Sequence, residues 1–308
     1  MTEEVAVAYG IQFDEAQFDP YRVMPVTHTW SDHPLLQLGA LVDLARRLDA
    51  KGSIRSHDGQ VNAGTNFSTA PEQHPAKLSP VQTIEQIEKA GAWMALHHVQ
   101  QDDLYRKLVD EILDEVRPRV EKKDPGMFGR AEWIFVTSPN AVTPYHMDHE
   151  HNFILQCIGK KTLHVWNPLD RDVVTERSLE LFHGKLSREL VVYKEEHQPR
   201  AYTFDLQPGM GGYMPSTSPH WVKNGDGVSV TISCTYYTKE IRRRKLLHRG
   251  NQKLRELGLT PAPVGQNALR DGVKQTFFGM GQAFQRLLKR QSPGVPTPPY
   301  AVSGSPLY

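Results

Sequence analysis

Cysteine is nearly missing from this chain of 308 residues: only Cys157 and Cys234 occur. Both lie in apolar runs, so two buried thiols are expected and a disulfide framework is not. Excess charge of either sign is missing too. Thirty-six Lys and Arg stand against 35 Asp and Glu, a net charge of +1, so no global field draws the chain to nucleic acid or to an anionic membrane. No apolar run approaches the ~18 residues of a membrane span. The acidic opening Met1-Thr2-Glu3-Glu4 lacks the apolar centre of a secretory signal. The expected compartment is therefore the cytoplasm, with no membrane partner. The run Arg242-Arg243-Arg244-Lys245 is a local exception. Such runs usually form a solvated helix face, so nucleic-acid binding is not expected.

The remaining composition is that of a globular protein, 39% hydrophobic and 23% charged, and the length suffices to bury a full core. Hydrophobic period divides the chain. Residues 1–125 read as a helical and loop region that packs on a core. Leu35 to Leu48 and Gln101 to Val120 carry helical stripes, and Ser79-Pro80 offers an N-cap with Pro at the first helical position. Ala92 to Val99 reads as a buried strand, and the polar stretch 52–75 as a loop expected to border the substrate. Residues 126–240 switch to short strands separated by turn signals such as Gly159-Lys160, Pro208-Gly209 and Asn224-Gly225-Asp226-Gly227, a pattern of sandwiches and barrels. Residues 241–291 form a C-terminal helical region, and 292–308, rich in Pro, Ser and Gly, form a flexible tail.

Histidine is plentiful, at 14 residues, and two stretches arrange it for chemistry. In Thr143-Pro144-Tyr145-His146-Met147-Asp148, the i, i+2 spacing of His146 and Asp148 places both side chains on one face of a strand. A third ligand from a distant strand, His220 in Pro219-His220-Trp221, closes one triangular face of an octahedron. Three positions stay open, the arrangement of non-haem Fe(II) oxygenases. His149-Glu150-His151 has the same spacing and competes for the metal. His146 and Asp148 are preferred because they mix nitrogen and oxygen donors, which suits Fe(II) better than a closed zinc site. Thr143, Asn152 and Lys161 surround the triplet with a hydroxyl, an amide and an ammonium group.

Together, Thr143 to Asp148, Asn152-Phe153, Gly159-Lys160-Lys161, Pro168, Pro208 to Pro215, Pro219-His220-Trp221 and the closing run Val228 to Tyr237 resemble the JmjC or cupin-like family of Fe(II)/2-oxoglutarate oxygenases. The spacing is most similar to its asparaginyl-hydroxylase branch, which inhibits hypoxia-inducible factor. The resemblance spans roughly residues 131–238. It implies a mainly β fold, a double-stranded β-helix (jelly-roll or cupin-like) core with N- and C-terminal helices. It further implies that His146, Asp148 and His220 bind Fe(II), that Lys161 and Thr143 hold the distal carboxylate of 2-oxoglutarate, and that Asn152 sits near the chelating carboxylate. Ser233 stands where family members often carry Asn. The reaction implied uses O₂, decarboxylates 2-oxoglutarate to succinate, and hydroxylates an unactivated C–H bond in a peptide or protein side chain or in a small amino-acid-like molecule. A homodimer through the C-terminal helices is implied as well.

Residue chemistry bears on the same assignments. Lys161 shares strand parity with Leu163 and Val165, and a lysine on a core-facing row must find an anion or lose its charge. The opposite parity, with Thr162, His164 and Trp166 inward, is the competing reading. Tyr145, Phe153 and Trp221 are candidates to line a substrate pocket, with ordinary packing the alternative for each. A metal-dependent isomerase or a ligand-binding protein of cupin type, without oxidation, is the alternative function.

Overall fold

A computed structural model describes residues 9–59 and 61–290, and side chains through 281. The expected tail 292–308, the acidic opening and the side chains of Phe284, Leu287 and Leu288 lie outside the described residues. In chain order, strands β1 (Ile11–Gln12) and β2 (Met24–His28) precede helix α1 (Leu38–Asp49). Strand β3 (Ile54–Asp58), short helices α2 (Ala70–Gln73) and α3 (Pro80–Glu85), strand β4 (Ala92–His97) and helix α4 (Asp103–Val120) follow. Next come β5 (Phe128–Thr137), β6 (Val142–His146), β7 (His151–Ile158), β8 (Lys161–Val165) and helix α5 (Glu176–Lys185). Strands β9 (Tyr202–Leu206), β10 (Met210–Met214), β11 (His220–Asn224) and β12 (Ser229–Tyr237) lead to helices α6 (Lys239–Glu256) and α7 (Ala268–Arg290).

The strands form two antiparallel sheets. The larger has the order β1-β2-β10-β7-β12-β5-β4-β3 and the smaller β6-β11-β8-β9. Alternation of apolar residues gives the larger sheet two different faces. Ile134 and Val136 of β5 and Val230, Ile232 and Cys234 of β12 pack with Leu41, Leu44 and Leu48 of α1 and Leu108, Ile112 and Val116 of α4. Each such leucine contributes about 1.5–3 kcal/mol by leaving water. The opposite face meets the smaller sheet through Ile154 and Met214 against Leu163, Val165, Leu206 and Val222. A helix layer, a large sheet and a small sheet are thus stacked in that order. Between β7 and β8 the chain turns at Gly159, with φ at +74°. A Cβ there would lie 2.0 Å from the Val228 carbonyl oxygen, so the turn requires glycine.

Several elements differ from the sequence reading. The N-terminal region contributes β1 to β4 to the larger sheet, so a boundary at 126 cuts through that sheet. The stretch 52–75 contains the edge strand β3 as well as loop. Helix α3 has the expected Ser79 cap, completed to a capping box by Gln82, and spans Pro80–Glu85. Helix α5 interrupts a segment that reads as polar. Thr175 caps it, and Leu179, Leu181 and Phe182 bury its inner face while charged neighbours occupy the rest. Among the described residues no helix is long and apolar enough to cross a membrane. In the basic run, Arg243 bonds Glu240 and Gln275, Arg244 lies over the Tyr21 ring and Lys245 over the Tyr237 ring.

Candidate metal centre

β6 and β11 are neighbours in the smaller sheet, with His146 opposite His220. β6 ends at His146, and Asp148 follows two residues on, so all three side chains converge. Their ligand atoms lie within 4.8 Å of one another, and they form the one such group of three among the described residues. His146 Nε2 is 3.9 Å and His220 Nε2 3.8 Å from Asp148 Oδ2. Donors on one octahedral face, with bonds of roughly 2.0–2.2 Å, lie about 3 Å apart, so a small contraction closes the set on a metal.

The tautomers are set by backbone carbonyls. His146 Nδ1 donates to Pro144 O at 2.7 Å, and His220 Nδ1 donates to Ser218 O at 3.0 Å. A carbonyl only accepts, so both protons sit on Nδ1 and both Nε2 lone pairs face the shared point. Burial holds the His146 imidazolium form far below its ordinary range, and the nearby His220, Arg188 and Arg55 add to this. Neutral imidazole is the ligating form. The donor set, two imidazole nitrogens and one carboxylate oxygen, fits an open-sided divalent metal site of the Fe(II) kind.

The triad opens into a cavity of about 180 Å³ between the sheets. Alternate residues of the larger sheet line it: Gly129, Ala131, Trp133 and Phe135 from β5, Asn152 and Ile154 from β7, and Ser233, Thr235 and Tyr237 from β12. The smaller sheet contributes Thr143, Lys161, His220 and Val222. Lys161 pairs with Asn224, four residues beyond His220 on β11, about 13 Å along a strand. One end of the cavity therefore carries the lysine and the other the metal ligands.

Lys161 is 6% exposed, on the row with Leu163 and Val165. The competing parity fails, since Thr162 and His164 of β8 face Asp205 and Thr203 on the outer side. Burial pushes the Lys161 ammonium down to about 7, with only the Cys157 thiol opposing it. Among the described residues its ammonium forms no hydrogen bond and no ion pair. The Thr143 hydroxyl accepts from Trp93 Nε1 at 2.8 Å, leaving its own proton for the cavity. Ser233 donates to Asn152 Oδ1 at 2.8 Å, so the Asn152 amide NH₂ is turned away from it. Ser233 lines the cavity, but its proton is spent on Asn152.

The three expected substrate residues lie elsewhere. The Tyr145 ring packs against Trp166 and Tyr193, with centroids at 5.3 and 5.9 Å. Phe153 is fully buried on the helix side of the larger sheet, against Phe13, Tyr213 and Tyr236. Trp221 follows His220 on β11 and so faces the other way, stacked on His164 at 4.3 Å. The competing pair is also accounted for. His149 stacks on Phe182 at 3.9 Å, and His151 bonds Asp124, Tyr213 and the Ser216 amide.

Sequence reasoning placed the 52–75 loop beside the site but missed four individual contributors. Phe67 lies face to face on the His146 ring at 3.9 Å and 4°, which brings part of 52–75 against the metal site. Trp93 holds Thr143. Arg188, between α5 and β9, lines the cavity, lowered by burial while Asp148 and Glu150 oppose that shift. Tyr237 donates to Glu150 beside Asp148. Only Tyr237 carried a signal, since it shares parity with Ser233 on β12.

No family model matches this chain. Over 117 residues it is 30% identical to the HSPB1-associated protein 1 homolog of Danio rerio, a stretch that is 35% of this chain and 26% of that protein. The chain thus matches about a quarter of that relative's length. Among solved structures, YcfD from Escherichia coli superposes with a TM-score of 0.48 at 14% identity, covering 90% of this chain and 69% of that one. The same ribosomal oxygenase in complex with cobalt and 2-oxoglutarate gives 0.47 at 14% identity, covering 92% and 70%.

Proposed function

We propose that this chain is an Fe(II)/2-oxoglutarate-dependent oxygenase on a double-stranded β-helix core, acting in the cytoplasm. The observation that carries the reading is a buried ammonium, Lys161, that shares one cavity with the His146, Asp148 and His220 triad and has no anionic partner of its own among the described residues. A buried cation needs an anion, and a dicarboxylate spanning from metal to lysine supplies one. The distribution of β5, β7, β10 and β12 in the larger sheet and β6, β8, β9 and β11 in the smaller supports the fold assignment.

His146, Asp148 and His220 would hold the iron. When bound with 2-oxoglutarate and O₂, it supplies an oxidant for unactivated C–H bonds, with succinate and CO₂ released. The protein's own part is binding and exclusion. Lys161 pairs with the distal carboxylate, and the Thr143 hydroxyl donates to the same group. Asn152, oriented by Ser233, offers its NH₂ near the metal end. Trp133, Phe135, Ile154 and Val222 keep water from the cavity walls.

Hydroxylation is the expected outcome. The substrate we favour is a peptide or protein side chain, on the strength of the spacing shared with the asparaginyl hydroxylases; a small amino-acid-like molecule is the competitor. The chain is further proposed to pair with a second copy through its C-terminal helices.

The test is a succinate-release screen over peptides and metabolites with Fe(II), 2-oxoglutarate and O₂, with mass spectrometry seeking a gain of one oxygen atom. His146→Ala and Asp148→Ala should abolish turnover while retaining the circular dichroism of the parent. Succinate release by those variants at the parent rate would remove the proposal. Metal binding without any 2-oxoglutarate turnover would favour the non-oxidative isomerase or ligand-binding reading.

A further inference from the structure

The metal reading leaves one close contact without a role. The Phe67 ring is stacked nearly parallel on His146, 3.9 Å between centroids and 4° between planes. Few arrangements restrict an imidazole more. His220 lies against the same ring from a tilted position at 4.2 Å, and Pro144 O fixes Nδ1. Phe67 is in turn held from outside. The Arg55 guanidinium lies 4.5 Å from its centroid and donates to the carbonyl oxygens of Phe67 and Ser68. The edge of Trp93 meets Phe67 at 6.4 Å, and Tyr145 N donates to Ala63 O at 2.9 Å. The segment 62–69 is therefore pinned to β3 by Arg55, to β6 by Ala63, and to a metal ligand by Phe67.

We propose that Phe67 is a positioning residue for the metal: it holds the His146 ring in the plane that presents Nε2 to the ion, and through it metal affinity and the order of segment 62–69 are coupled. The inference rests on the metal reading but needs neither 2-oxoglutarate nor turnover. Without the Phe67 ring, one face of His146 is open and the imidazole can turn about its Cβ–Cγ bond, hinged on the single bond to Pro144 O. Groups that orient a ligating histidine typically carry 10–100-fold in metal affinity. By thermodynamic reciprocity, a metal that fixes His146 must also favour the conformation in which Phe67 stacks on it.

The experiment uses Co(II) alone, without oxygen or co-substrate. Its Kd is measured by competition with a chromophoric chelator, and its ligand-field absorption is recorded. Phe67→Leu should raise the Kd about tenfold or more and shift the absorption bands. Leu41→Ala, a fully buried change in α1, serves as the control for lost stability. It should lower Tm and leave the Kd and spectrum at parent values. An unchanged Kd in Phe67→Leu, or equal rises in both variants, overturns the proposal. In the parent protein, hydrogen exchange supplies a reading that no folding defect disturbs. Co(II) should slow the amides of 62–69, and identical exchange with and without Co(II) would overturn the coupling. If the parent protein binds no Co(II), the metal reading falls and this inference with it; if it binds Co(II) but never decarboxylates 2-oxoglutarate, only the oxygenase proposal falls.

Discussion

Trp93 on β4 and Thr143 on β6 join the two sheets directly, the indole N–H donating to the threonine hydroxyl oxygen at 2.8 Å. His57 stacks on the face of the indole at 4.6 Å and 10°, which helps to hold its orientation. The hydroxyl oxygen is held at the cavity wall, and its own proton is not used by the indole.

Thr143→Val removes that acceptor while keeping the shape of the side chain. Trp93 Nε1 is left without a partner at a buried site, which costs about 1–3 kcal/mol. The midpoint of urea unfolding should fall accordingly, and Thr143→Ser should restore it. The 2-oxoglutarate requirement should rise in the valine variant alone, with little change in kcat. Equal midpoints for the valine and serine variants would show that the bond contributes nothing.

Acid should destabilise the fold from about pH 6.5 downward. His57 is lowered to about 4 and His248 to about 3, both chiefly by burial. Each is neutral in the folded chain and titrates near 6.5 when unfolded. A folded-state pKa below the unfolded one gives stability that is full above the unfolded value and lost as pH falls. Between pH 7.5 and 5.5 each of the two costs about 1.4 kcal/mol. Urea midpoints at those two pH values test this, and replacing either histidine by glutamine should flatten the difference. A midpoint that does not move between the two values would contradict the assignment.

The convergence of His146, Asp148 and His220 was legible because strand geometry makes i, i+2 spacing meaningful and because a second histidine follows a proline that stiffens its approach. Lys161 was legible from the parity of Leu163 and Val165. The same parity excludes Trp221, which cannot share a face with its neighbour His220. Phe67 and Trp93 were not legible. Their partners His146 and Thr143 are remote in sequence, and nothing local marks an aromatic that will cover a ligand. Strand β1 was missed because two residues are too few to display a period, and β2 because Pro25 stands inside its five alternating residues. The polar stretch holding α5 hid a helix whose buried face is only three apolar residues wide, Leu179, Leu181 and Phe182.

Assembly through α7 can be tested on the full chain. Leu269, Val273, Phe277 and Met280 fall three or four residues apart on one side of the helix and are 83, 72, 66 and 62% exposed. A stripe of this kind on a solvated helix calls for a cover. Phe277→Glu should convert a dimer to a monomer in sedimentation or light scattering, with the urea midpoint of the monomer at low concentration unchanged. A parent chain that is monomeric at micromolar concentration would end the pairing proposal.

On the proposed reading, Lys161 should set the pH dependence of co-substrate binding. In the free protein burial lowers its ammonium to about 7, whereas a bound carboxylate favours the charged form and raises it again. The protonated lysine is the form that binds. Affinity for 2-oxoglutarate should therefore be full below about pH 7 and fall above it, by up to about tenfold per pH unit, until the pKa of the complex is reached. Binding to the Co(II) form can be followed by the cobalt absorption between pH 6.5 and 8.5 without oxygen. Lys161→Met should bind 2-oxoglutarate weakly at every pH and show no such slope, because a charge-assisted contact is gone. Lys160→Ala, in the solvated turn before β8, should behave as the parent does. A parent affinity that stays flat across this range, or a Lys160 variant that loses binding while the Lys161 variant keeps it, would place the carboxylate somewhere other than against Lys161.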